Sequence, residues 1–181
     1  MNIKVESQGK EKIATSVQFK VIQNIALNGY DIIFNDDSSG EIADVIAIVE
    51  KDNHILFEFY HCKYSSELVP GARVNDLYEV CGQAEKSIKW CQSASKIIDH
   101  MIIRELRWNK INYSRFDKGD IRKLKEFKNK LRDFKCSFKV YIVQPGVSFK
   151  SLSSDMVQII SGTSSYLMDT YGINLEIICS E

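Results

Sequence analysis

The sequence predicts an α/β domain in which a central mixed β-sheet carries helices on its faces. Three observations predict it. An apolar pattern at helical spacing opens the chain. Three short runs rich in Ile, Val and Phe follow it with only turns between them. Beyond residue 73, helical segments then alternate with strands. The 181 residues suit a single domain spanning 1–181, since one domain takes about 100–200 residues.

Each element has its own signal. Residues 10–28 place Ile13, Val17, Val21, Ile22, Ile25 and Ala26 along one helical stripe, and Asn28-Gly29 is a stop. Tyr30 to Phe34 reads as a strand and Asn35 to Gly40 as a turn. Glu41 to Val49 reads as a buried strand, Glu50 to Asn53 as a tight connection, and His54 to Lys63 as a second long strand. Residues 73–104 form one long helix or a broken pair, and residues 119–135 a charged helix. Phe138 to Val143 is a strand stopped by Gln144-Pro145-Gly146. Residues 151–171 are helical up to Gly172, and Ile173 to Cys179 is the last strand.

Composition excludes several classes. A 44% hydrophobic and 27% charged chain is neither disordered nor a membrane protein, and no apolar run approaches the roughly 20 residues of a spanning helix. The start, MNIKVESQGKEK, is too polar for a signal peptide. Cys62, Cys81, Cys91, Cys136 and Cys179 are odd in number and contain no C-x-x-C pair. They read as reduced thilols of a cytoplasmic protein rather than a disulfide framework or zinc knuckle. Net charge is zero, so binding to nucleic acid would need a local basic surface.

The chemistry concentrates between Gly40 and Ser65. Asp44 sits near the start of one apolar strand and Lys63 at the end of the next. A charge within an apolar strand is costly unless it is paired or binds a metal. Strand alternation puts His61 and Lys63 on one face with Phe57 and Phe59, and Glu58 with Tyr60 and Cys62 on the other. Glu58 would reach the first face only through a bulge. Taken singly, Asp44 is also readable as a strand-end cap, Lys63 as a snorkelling lysine and His61 as a satisfied core histidine. Their conjunction is what points to a site. Trp90 and Trp108 read as packing residues. Residues 118–135 read either as a solvated helix face with pairs such as Glu126–Lys130, or as a phosphate-contacting surface with Arg122, Lys125 and Lys128.

Over residues 10–145 this layout resembles the PD-(D/E)XK, or restriction endonuclease-like, nuclease superfamily. Its order is a helix, a three-strand meander, a helix and a further strand. Ile42-Ala43-Asp44 resembles the first half of its motif, and His61-Cys62-Lys63 the second, with His61 where the family has an acid. Gly82-Gln83-Ala84-Glu85-Lys86-Ser87 is similar to the helix glutamine of some members, although Ser87 stands where a tyrosine is typical. The resemblance implies an α-β-β-β-α-β core and a metal-dependent DNA nuclease. Asp44, Lys63 and Gln83 would be catalytic. Asp44, His61 and the Cys62 backbone carbonyl would hold one Mg²⁺ or Mn²⁺, with imidazole favouring Mn²⁺. Arg73, Lys86 and Lys89 would contact the DNA backbone.

The segment also resembles domains appended to bacterial helicase and defence proteins. The partners thus implied are DNA, single- or double-stranded, and either a second copy or a larger parent protein with a helicase. His61 keeps a second reading open, a nuclease-fold DNA-binding module that does not cut. Neutral charge and the apolar C-terminal half keep open a third, a protein-interaction domain.

Overall fold

The computed structural model describes residues Met1–Glu181. Helix α1 (Val17–Ile25) starts at Ser16, whose Oγ accepts from the Phe19 amide, an ordinary N-cap. It starts later than its apolar stripe predicts because Gly9 and Lys12 take positive φ values of 60° and 51°, which no right-handed helix accommodates. Residues 2–16 instead fold back, and the carbonyls of Val5 and Glu6 accept from Val17 N and Gln18 N at 2.8 and 3.0 Å. A short 3-10 turn, closed by Gly29 in the left-handed region, leads to the sheet.

Strands β1 (Ile32–Asn35), β2 (Val45–Lys51) and β3 (His54–Cys62) form an antiparallel meander, with Ile33 opposite Ala47 and Ile46 opposite Phe59. Asp52 and Asn53 both have φ near 50–60°. A two-residue hairpin turn of this hand suits the twist of the strands it joins. Helices α2 (Val74–Ser87) and α3 (Ala94–Asn109) are separated by a 3-10 turn, Ile88–Gln92, so the broken pair is the correct one of the two alternatives. Ser93 caps α3, accepting from Lys96 N. The short strand β4 (Phe116–Lys118) and helix α4 (Ile121–Lys130) follow.

Strand β5 (Lys135–Ser148) returns beside β3 and parallel to it. Helix α5 (Ser154–Tyr171) then leads to β6 (Leu175–Ser180), parallel to β5. The six strands stand in the order β4-β1-β2-β3-β5-β6. β5 outruns its predicted end at Val143 because Pro145-Gly146 is absorbed in an irregularity of the β5–β6 register. Gly146 N turns back onto Gln144 Oε1 at 2.7 Å, and proline is tolerated where the ladder is broken.

Alternation along the strands makes two cores. Phe34, Ile46, Phe57 and Phe59 face α2, α3, α4 and α5 through Leu77, Ile97, Phe127 and Leu167. Ile33, Val45, Ala47, Tyr60 and Cys62 face α1 through Val17, Val21 and Ile25. Phe57 and Phe59 are fully buried, each contributing about 1.5–3 kcal/mol. The architecture is thus a mixed six-stranded sheet with helices on both faces. No helix is long and apolar enough to cross a membrane.

Candidate functional site

The meander places the start of β2 beside the end of β3. Val45 pairs with Tyr60, so Asp44 arrives next to the His61–Lys63 segment. β2 begins at Val45 rather than Glu41 because residues 36–42 form a closed loop. Asp36 Oδ2 accepts from Ile42 N at 2.7 Å, and Asp36 N donates to Asp44 O at 2.9 Å. Two buried arginines clamp this loop from outside. Arg104 of α3 donates to Asp36 O, Ser38 Oγ and Ser39 O at 2.6, 2.8 and 3.0 Å. Its Nε also lies 2.5 Å from Asp36 Oδ1, a charge contact whose N–H is not aligned for a hydrogen bond. Arg115, beside β4, donates to the carbonyls of Asn35 and Asp37 at 2.9 and 2.8 Å and stacks over Trp108.

The closed loop gathers carboxylates. Oxygens of Asp37, Glu41 and Asp44 lie within 4.8 Å of one another. Asp44 is buried, and its two oxygens accept from Gln18 Nε2 and from the amide of Cys62, both at 2.8 Å. Burial first, then the nearby Glu41, push the Asp44 carboxyl well above its ordinary value, against the opposing bond from Cys62. Burial raises Glu41 as well. Ser7 Oγ donates to Asp37. Like charges this close disfavour one another's ionised form. All three donors are hard oxygens, the set that suits Mg²⁺ or Mn²⁺.

The other predicted residues divide between two sides of this cluster. Lys63 pairs with Glu79 at 2.7 Å and lies 3.9 Å from Glu6. Burial opposes its charge, but the Glu79 hydrogen bond and the field of Glu6 prevail and raise its pKa. Glu6 is itself raised by burial, and its carboxylate is one of those that act on Asp44. It therefore links the lysine to the acidic group.

On the other side, His61, Gln83, Lys86 and Lys89 line one cleft of about 430 Å³ together with Glu41 and Trp90. His61 stands outside the carboxylate group, with Nε2 3.0 Å from Ser87 Oγ. Burial lowers its pKa to about 3, so the imidazole is neutral. Cys62 meets Asp44 through its amide N–H, so the expected carbonyl ligand plays no part in that contact.

Arg73 is not in the cleft. Its guanidinium turns back to the carbonyls of Val69 and Ala72. The basic helix α4 is laced with ion pairs, including Lys130–Glu126 at 2.9 Å and Lys128–Asp99 at 2.5 Å, as a solvated face would be. Glu58 stays on the α1 face, where it accepts from Tyr30, Tyr60 and Tyr141.

Comparison with protein-family models, curated proteins and solved structures finds no match. The reading of this site therefore rests on its own geometry. Asp37, Glu41, Glu6 and Glu79 went unnoticed in the sequence because no spacing rule connects them. They come from the N-terminal arm, the 36–42 loop and α2. The run NDDSSGEIAD, with four acids before an apolar strand, was the available signal.

Proposed function

We propose that this chain is a metal-dependent nuclease module with a restriction endonuclease-like core, acting on phosphodiester bonds of DNA. One observation carries the reading. A buried Asp44 at the head of β2 bonds to the amide between His61 and Lys63 at the tail of β3, within a group of carboxylates and beside a charged lysine. The helix, three-strand meander, helix and further strand that the resemblance implies occur in that order, with α3, β4 and α4 inserted before the last strand, which supports it in part.

The oxygens of Asp37, Glu41 and Asp44 would hold one Mg²⁺ or Mn²⁺. When bound, such an ion supplies an acidified water and polarises a phosphoryl oxygen. Lys63 is kept cationic by Glu79 and Glu6, so it can stabilise the negative charge that develops on the phosphate. Neutral His61 and Gln83 can accept or donate hydrogen bonds to substrate or water. Lys86 and Lys89 stand at the exposed rim, where phosphates are drawn in by charge. A helicase-bearing parent protein or a second copy is the partner that suits such a module.

The alternative is a nuclease-fold module that binds DNA without cutting it. The observation in its favour is His61, which bonds to Ser87 and leaves the acid position of the motif without a carboxylate. Incubation of the purified chain with single- and double-stranded DNA and Mg²⁺ or Mn²⁺ separates the two. Cleavage should depend on the ion and vanish in Asp44→Ala and Lys63→Ala, with circular dichroism unchanged. Cleavage by Asp44→Ala at the wild-type rate would refute the assignment. A gel shift without cleavage would favour the binding module.

A further inference from the structure

The cleft beside the carboxylates is built to accept hydrogen bonds from something. Ser87 Oγ donates to Ala84 O at 2.8 Å. A hydroxyl has one proton to give, so at its 3.0 Å contact with His61 it must accept from Nε2–H. That fixes the tautomer and leaves His61 Nδ1 as a lone pair. His61 is only 3% exposed, and Nδ1 has no protein partner. Gln83 Oε1, on the same cleft, is fully buried and has no partner. Glu41 accepts a single bond from Ser38 N, made to Oε2, and lines the cleft too. A bare buried acceptor such as Gln83 Oε1 is costly until a donor meets it.

We propose that this cleft is a nucleobase pocket, in which an amino-bearing base of the substrate strand, unstacked from its neighbours, donates to His61 Nδ1 and Gln83 Oε1. The inference rests on the nuclease reading and names part of its substrate. The volume of about 430 Å³ falls within the roughly 300–1,000 Å³ of small-molecule sites. Trp90 provides an apolar wall against which the ring packs, and base–aromatic contact is favourable for any base. Lys86 and Lys89 at the mouth take the flanking phosphates. A neutral imidazole is an acceptor at any working pH, and burial keeps His61 neutral. Adenine, cytosine and guanine each carry an exocyclic amine, whereas thymine offers carbonyls in its place. The floor thus selects against thymine.

The test is calorimetric titration of the full chain with dAMP, dCMP, dGMP and dTMP in EDTA, so that no divalent ion takes part. The three amino-bearing nucleotides should bind about tenfold more tightly than dTMP, the value of one hydrogen bond of about 1.4 kcal/mol. Gln83→Leu, at a half-buried position, and His61→Phe should each remove that preference while the charge reversals Lys86→Glu and Lys89→Glu weaken all four nucleotides alike. Equal binding of dTMP and dAMP would overturn the proposal, and so would an unchanged preference in Gln83→Leu or a total absence of binding in EDTA. Mn²⁺-dependent cleavage, measured in parallel on wild type, shows whether the nuclease reading stands when the pocket does not.

Discussion

Replacing Arg104 with Gln should destabilise the protein more than almost any other single polar change. Arg104 is 7% exposed, and the carboxylate of Asp36 facing it is fully buried. The side chain donates to two carbonyls and a hydroxyl of the 36–42 loop and neutralises Asp36. Glutamine retains neither the charge nor the reach. Removing one partner from a buried ion pair costs about 3–5 kcal/mol, and Asp36 would keep only the Ile42 amide and His100 beside it. For a domain of this size each kcal/mol moves the melting temperature by about 2–4 °C, so the melt should fall by about 6–20 °C. Arg104→Lys keeps the charge but cannot span the same acceptors, and should lie between. Thermal unfolding followed by circular dichroism measures all three proteins. A melt of Arg104→Gln within about 2 °C of wild type would refute the clamp.

Other outcomes follow from the same geometry. Saturating Mg²⁺ or Mn²⁺, at about 100 times its Kd, should add about 2.7 kcal/mol and raise the melt by roughly 5–10 °C, and Glu41→Gln should reduce that rise. The carboxyls of Glu6, Glu41 and Asp44 are raised by burial, so their contribution is complete below their ordinary values near 3.8–4.5 and is lost as pH rises through the higher folded values. The metal-free protein should therefore gain stability from these groups on the acid side, and the gain from added ion should grow with pH in denaturant titrations. Glu58→Ala strips the acceptor shared by Tyr30, Tyr60 and Tyr141 and should cost about 2–4 kcal/mol in urea unfolding. Gly146→Ala would set a Cβ 2.6 Å from Ser65 Cβ and should cost about 1–3 kcal/mol by the same assay.

The helical stripe of α1 and the alternation in His54–Lys63 made the meander and its two faces readable from local pattern alone. Such patterns report which side of an element meets a core. They do not report loops closed by distant partners, so the Asp36 staple and its Arg104 and Arg115 clamps were invisible. β4 escaped notice because three residues carry no period, and its place is set by Phe116 packing edge-on to Phe34 at 5.0 Å. The sheet beyond Gln144 was obscured by Pro145, a strand breaker whose missing donor is harmless at an irregular register. At the site, the adjacency of Asp44 to the His61–Lys63 segment was legible from strand order. The separation of His61 from the carboxylates was not, because it depends on Ser87 of α2 drawing the ring away.

Trp90 on one wall of the cleft packs against His100 with ring centroids 5.1 Å apart, and His100 Nε2 lies 2.9 Å from Asp36, the residue that staples the opposite wall. The two walls are therefore mechanically one piece. Opening the cleft means separating a tilted ring pair and a part-buried polar contact together, so its width is held by both. A ligand that needs more room has to break both contacts, and that cost is set against its binding.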